Sequence, residues 1–155
     1  MNFHLAQVNI AIARYSYVDP RLAGFVDNLD RVYALAESMP GFVWRHVSVN
    51  NDAQAKRVFG EPELIFNMSL WKTKQALFDF VYKSDHADIL RRRAEWFIPQ
   101  NRPIMALWWQ PAGTIPSIME ARHRLERLEQ AGPTEDAFTF GSFFDPPAGE
   151  VVAHG

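Results

Sequence analysis

Between Tyr82 and Phe97 the chain reads YKSDHADILRRRAEWF, a stretch with side chains able to move a proton or hold an anion. At the helical advance of about 100° per residue, Tyr82, His86, Ile89, Arg93 and Trp96 fall in one band. An imidazole that titrates near neutrality, a phenol and a guanidinium thus share a stripe with large apolar groups. Two readings are open. These are polar tips at the margin of a core, their stems inside and heads in water, or they point together into a cavity. Ser84 and Asp85 are natural caps for a restarted helix, which puts His86 in its first turn. A positive charge there opposes the helix dipole. The neutral imidazole is therefore favoured, as suits a base or a buried structural histidine alike.

Other chemistries find less support. Asp85, His86 and Asp88 stand close in sequence but point different ways on a helix, and no second His follows at the i+4 spacing of a helical zinc site. No metal site is expected. Asp88 pairs with Arg91 at i+3 and Arg92 at i+4, so the arginine run reads as a solvated face with Arg93 alone in the apolar band. There is no Gly-rich phosphate loop and no G-x-S-x-G elbow. The absence of cysteine excludes disulfides, thiolate nucleophiles and thiolate metal sites. A formal charge of −2 offers no field to a phosphate backbone, so nucleic acid is not an expected partner.

With 155 residues, nearly half apolar, and with five Trp and twelve Phe, the chain reads as one packed domain over 1–155, with a core over 1–112 and a C-terminal helix and aromatic tail over 113–155. The N-terminus has no basic region before its apolar run and reads as a strand, not a signal peptide. No run approaches 18 apolar residues, so no membrane span is expected. The expected location is cytoplasmic.

Strands are predicted over Phe3–Ala13, Phe42–Val49, Leu64–Trp71 and Ile104–Gln110. Asp19 and Pro20 open a helix running to Ala36. A second helix runs from Thr73 to about Ile98 with a break at KSD, and Asn50–Glu63 reads as a polar loop. Ser117 and Glu120 have capping-box spacing, and Gly132–Pro133 stops the helix they open. That helix carries a thin apolar line, Ile118, Ala121, Leu125 and Leu128. Four Phe in the tail are expected to pack on the body or a partner. The order β-α-β-β-α-β is that of an α+β, ferredoxin-like double βαβ unit.

In that topology the first strand lies beside the third. If their parities coincide, Gln7, Asn9, Asn67 and Ser69 meet on one sheet face, either satisfying one another or lining a pocket. Strands three and four are apolar at both parities, so neither face is written for water. Two such sheets packing face to face would make a homodimer.

The segments FHLAQVNIA, MPGFVWR, NMSLWKTKQALFDFVYKSDH, ILRRRAEWF, LWWQPAG and GPTEDAFTF together resemble the domain-of-unknown-function 3291 family, over roughly Phe3 to Phe140. That family is similar in turn to the dimeric α/β-barrel superfamily of antibiotic-biosynthesis monooxygenase-like proteins. The resemblance implies sheets paired back to back and a small molecule held between sheet and helices. It also implies a candidate chemistry, cofactor-independent oxygenation of a hydrophobic or aromatic metabolite. His86 would then be the base, Tyr82 a hydrogen-bonding group and Arg93 a stabiliser of negative charge. Gln7, Asn9, Asn67, Ser69 and Trp71 would orient the ring, and Trp44, Trp96 and Trp108 would add apolar walls. The alternatives are a non-catalytic ligand-binding or structural homodimer, and a haem-binding or haem-degrading protein. For haem, Asn9 matches a position the relatives use, but Phe80 stands where they place Trp, and their ligating His falls near Leu90 or Arg91. Without that ligand haem loses its anchor, and no cofactor is expected.

Overall fold

The central strand β1 (Phe3–Ile12) decides by its alternation what lies on each side of the sheet. The computed structural model describes residues 2–84 and 86–147. After β1 come a 3-10 turn (Pro20–Leu22), α1 (Ala23–Val26), α2 (Leu29–Ser38), β2 (Phe42–Arg45), α3 (Ala53–Phe59) and β3 (Leu64–Trp71). Then follow α4 (Lys74–Lys83), α5 (His86–Arg91), α6 (Arg93–Trp96), β4 (Met105–Pro111) and α7 (Ile118–Ala131). The strands form one antiparallel sheet in the order β2-β3-β1-β4, so the architecture is α+β. No helix among the described residues is long and apolar enough to cross a membrane.

The two long helices expected from spacing are interrupted. Asp19 caps the 3-10 turn, accepting from the Arg21 amide at 2.8 Å. Asn28 then stops α1 by donating its side-chain amide to the Gly24 carbonyl at 2.7 Å, a local bond that competes with helix continuation. Thr73 caps α4 through the Ala76 amide. The Ser84 hydroxyl closes that helix on the Phe80 carbonyl, at the break expected from KSD. Asp85, the other cap residue named there, lies outside the described residues. At the MPGF turn Gly41 has φ +86°, and a Cβ on it would stand 2.6 Å from the Ala76 Cβ. Glycine alone lets the turn sit this close to α4.

One expected loop is not a loop. Asn50, Asn51 and Asp52 take left-handed conformations (φ 51°, 53° and 55°), tolerated best by such short polar side chains. His46 Nε2 lies 2.8 Å from Asp52 Oδ1, and α3 starts directly after. A seven-residue helix is too short to show a period, but α3 buries Ala55 completely and sets Phe59 against Phe66.

The sheet's two faces are covered differently. Val8, Ile10, Phe66, Met68, Leu70, Ala106 and Trp108 share one face, and Ala55 of α3 with Ala121, Leu125 and Leu128 of α7 pack onto it in one continuous core. The thin apolar line of α7 is thus the cover for this face, and each of these sheet residues is under 5% exposed. This corrects the argument for a homodimer: the surface on which a second sheet would pack is filled by the same chain. The Ser117 hydroxyl accepts from the Glu120 amide at 3.0 Å, while the Glu120 carboxylate turns to Arg124 instead of closing the capping box.

On the other face α2 and α4 pack over Leu5, Trp71 and Leu107. The aromatic tail completes that cluster, as its composition led one to expect of the body or a partner. Phe138 exchanges two backbone bonds with Leu107, at 2.8 and 2.9 Å, and Trp109 Nε1 donates to the Phe144 carbonyl at 2.8 Å. A separate cluster of Ala13, Leu22, Phe25 and Trp96 forms at the sheet's end.

Candidate functional site

The gap between those two clusters is the site. Its floor is the amide group foreseen from strand parity, since the register sets Gln7 opposite Ser69 and Asn9 opposite Asn67. Gln7 Nε2 donates to Asn67 Oδ1 at 2.7 Å and to Ser69 Oγ at 2.9 Å. Trp71 Nε1 donates to the same Ser69 oxygen at 2.8 Å. Gln7 and Ser69 are buried, and the Gln7 N–H groups and the Ser69 oxygen lone pairs are engaged. The Asn9 amide is not: among the described residues it has no protein partner, and Asn67 has none for its NH2 group. Both face a cavity of about 140 Å³. About 150 Å³ holds a benzene-sized molecule, so the space fits one ring.

The cavity walls are apolar and come from four helices. Phe25 of α1, Val32 and Ala36 of α2, Phe80 and Val81 of α4, and Ile89 of α5 supply them. His86 opens α5 at the cavity, its ring 4.9 Å from that of Phe80. Its Nδ1 lies 3.4 Å from the Val81 carbonyl, long for a hydrogen bond. Burial pushes the imidazole below its ordinary value, and the Val81 carbonyl pulls the other way by less. With the proton on Nδ1 toward Val81, Nε2 carries a lone pair. Tyr82 stands at the rim, 46% exposed, between Phe78 and Phe140 at ring distances of 4.8 and 5.7 Å.

One further polar side chain is not foreseen by alternation. Arg45 lines the cavity because the pairing of β2 with β3 slips between Phe42 and Trp44. One extra residue in a strand reverses the parity of everything after it. The slip turns Trp44 away to the face covered by α7, where it packs near Leu70, and turns Arg45 toward the cavity opposite Ser69. The Arg45 guanidinium lies 4.3 Å over the Tyr33 ring. It donates from Nε to Glu37 Oε1 at 3.2 Å and from Nη1 to the His46 carbonyl at 3.2 Å. Burial raises the Tyr33 phenol above its ordinary value, and the overlying Arg45 opposes this by less. Tyr33 is thus a neutral platform.

Several predicted site residues stand elsewhere. Arg93 is exposed, with Nη1 3.4 Å from the Leu90 carbonyl, beside a shallow groove that includes Ala11 and Phe97. The helix stops at Arg92 and restarts, which rotates Arg93 out of the band it would share with His86. Trp96 is buried in the end cluster. Trp108 lies on the α7-covered face, donating to Gln110 Oε1 at 3.0 Å. Trp71 is on the cavity's face but fully buried behind it, stacked on Phe80 at 5.2 Å, so it supports the floor through Ser69. Of the residues once weighed for a metal, Asp85 lies outside the described residues and Asp88 is exposed, paired with Arg91. A cavity sized for one ring does not fit a haem macrocycle, and the one imidazole among its described lining residues is set against Phe80 and Val81.

Comparison with known proteins adds a family without a reaction. The profile described as Domain of unknown function (DUF3291) matches residues 4–154. Among solved structures, a protein of unknown function from Nitrosomonas europaea is similar, with TM-score 0.50 over 74% of this chain and 96% of that one, at 14% identity. At that identity the likeness concerns the fold alone. No curated protein matches the chain.

Proposed function

The chain belongs to the DUF3291 family, whose description assigns no activity, and from the site we propose that it binds a small, largely apolar single-ring molecule between sheet and helices. The observation that carries this reading is the Asn9 amide, without a partner among the described residues, facing a ring-sized cavity whose walls are otherwise mainly apolar. Asn9 and Asn67 are each only partly buried, so a ligand oxygen at their amides takes the place of water and orients the ring. Binding sites combine apolar walls with a few placed polar groups in this way. The strand order β2-β3-β1-β4 supports a ferredoxin-like arrangement. A homodimer, in this reading, uses a surface other than the face α7 covers.

In its enzymatic form the site is an acid–base catalyst, of which a cofactor-independent oxygenase is one kind. His86 Nε2 takes the proton of a ring hydroxyl, and the Asn9 and Asn67 amides hold the oxygen that becomes anionic. A non-catalytic binder is the second reading. It is favoured by one observation: among the described residues no carboxylate orients His86, whose contact is the long one to Val81. Titration of isotope-labelled protein with phenol tests the shared core of both. The Asn9 and Asn67 side-chain amide signals and the His86 ring signals should shift together and saturate. If none of them moves up to millimolar phenol, the cavity is not a binding site.

A further inference from the structure

Resting on that cavity reading, the charges around it narrow the ligand's class. Among its described lining residues the cavity has one permanent cation, Arg45, and no Asp or Glu, while burial favours the neutral imidazole at His86. A cationic ligand would meet a guanidinium with no carboxylate among the described lining residues to offset it. A neutral one could accept from the guanidinium's remaining N–H groups only without the gain that an anionic acceptor brings. We propose that the cavity takes a small aromatic or alicyclic acid whose carboxylate is received by Arg45 while its ring lies against the Val32, Phe80 and Ile89 walls.

The geometry around Arg45 prepares it for this. Tyr33 beneath it at 4.3 Å and the His46 carbonyl at 3.2 Å hold the planar group in place, so little side-chain freedom remains to be lost on binding. Its protein counter-ion is peripheral. Glu37 meets only Nε, at 3.2 Å, and is 52% exposed against 22% for Arg45. An ion pair with one partner that wet is weak and leaves Nη2, with the second N–H of Nη1, to receive a carboxylate. Glu37 then acts as a competitor for the same guanidinium. Arg45 also stands opposite Ser69 across β2 and β3, which places the acid group beside the amide floor.

Calorimetric titration at neutral pH with benzoate and with benzamide, its neutral isostere, tests the assignment. Benzoate should bind native protein about tenfold or more tighter than benzamide, the scale of one charge-assisted interaction. Arg45→Met should erase that preference while benzamide binding stays. Glu37→Gln should tighten benzoate severalfold and leave benzamide unchanged, a gain that a merely disrupted fold would not produce. Equal binding of the two probes to native protein overturns the acid assignment and leaves the cavity reading standing. Binding of neither overturns both.

Discussion

The two faces of one sheet, built from the same strands, have opposite fates. Val8, Met68, Leu70 and Trp108 point one way into a continuous core sealed by α3 and α7. Gln7, Asn9, Asn67 and Ser69, one residue along, point the other way into a core divided between two clusters, with a cavity where they part. Even the tryptophans mirror each other: Trp108 finds Gln110 on the sealed face, and Trp71 finds Ser69 on the divided one. Because both faces are equally able to be apolar, the amides on one of them are not a consequence of the fold. They set this face apart, since the buried amide of the sealed face, Gln110, has partners in Trp108 and Thr114.

If that contrast is right, truncation should hurt most on the sealed face. Trp108→Ala should cost about 3–5 kcal/mol in urea unfolding, since nothing nearby can fill the space. Ser69→Ala should cost about 1–3 kcal/mol by the same measurement, because it removes the shared acceptor of the Gln7 and Trp71 donors. His86→Ala should cost under about 1 kcal/mol, since among the described residues the polar contact of its imidazole is the long one to Val81. A loss as large as that at Trp108 would make His86 a structural residue. Asn9→Leu should leave stability unchanged or raise it by a few tenths, since the amide serves a ligand and not the fold.

The smallest expected effect is a pH dependence. In the unfolded chain His86 titrates near its ordinary 6.5, whereas burial depresses it in the folded one. Between those two values the unfolded state binds more protons, so stability falls as pH drops from about 6.5 through the folded value and is flat above it. His4, depressed by burial and then by Lys72, acts with the same sign. The difference in acid slope between native protein and His86→Gln therefore isolates His86, and equal slopes would place the imidazole in water.

What was legible in the sequence follows the reach of each rule. The amide floor was, because β1 and β3 pair without a slip and parity carries from one to the other. The aromatic tail and the apolar line of α7 are also legible as sticky, but local patterns do not say what a surface covers, so two apolar sheet faces point to a sheet-to-sheet dimer without showing that α7 covers one of them. Arg45 was hidden by the irregular pairing in β2, which also removed Trp44 from the site. Helical spacing does not show that the helix stops at Arg92, and beyond that stop Arg93 leaves the band. The helix α3 was hidden because seven residues show no period.

The cavity's claim to be a binding site is tested most directly by filling it. Ala36 lines it and is nearly buried, so Ala36→Phe places a ring where the ligand's would go. Unfolding midpoints of native protein and Ala36→Phe are compared with and without phenol at rising concentration. A ligand held only by the folded cavity raises the native midpoint in proportion to the logarithm of its excess and leaves that of the filled variant unmoved. A rise of the same size in both proteins, or in neither, would contradict the account.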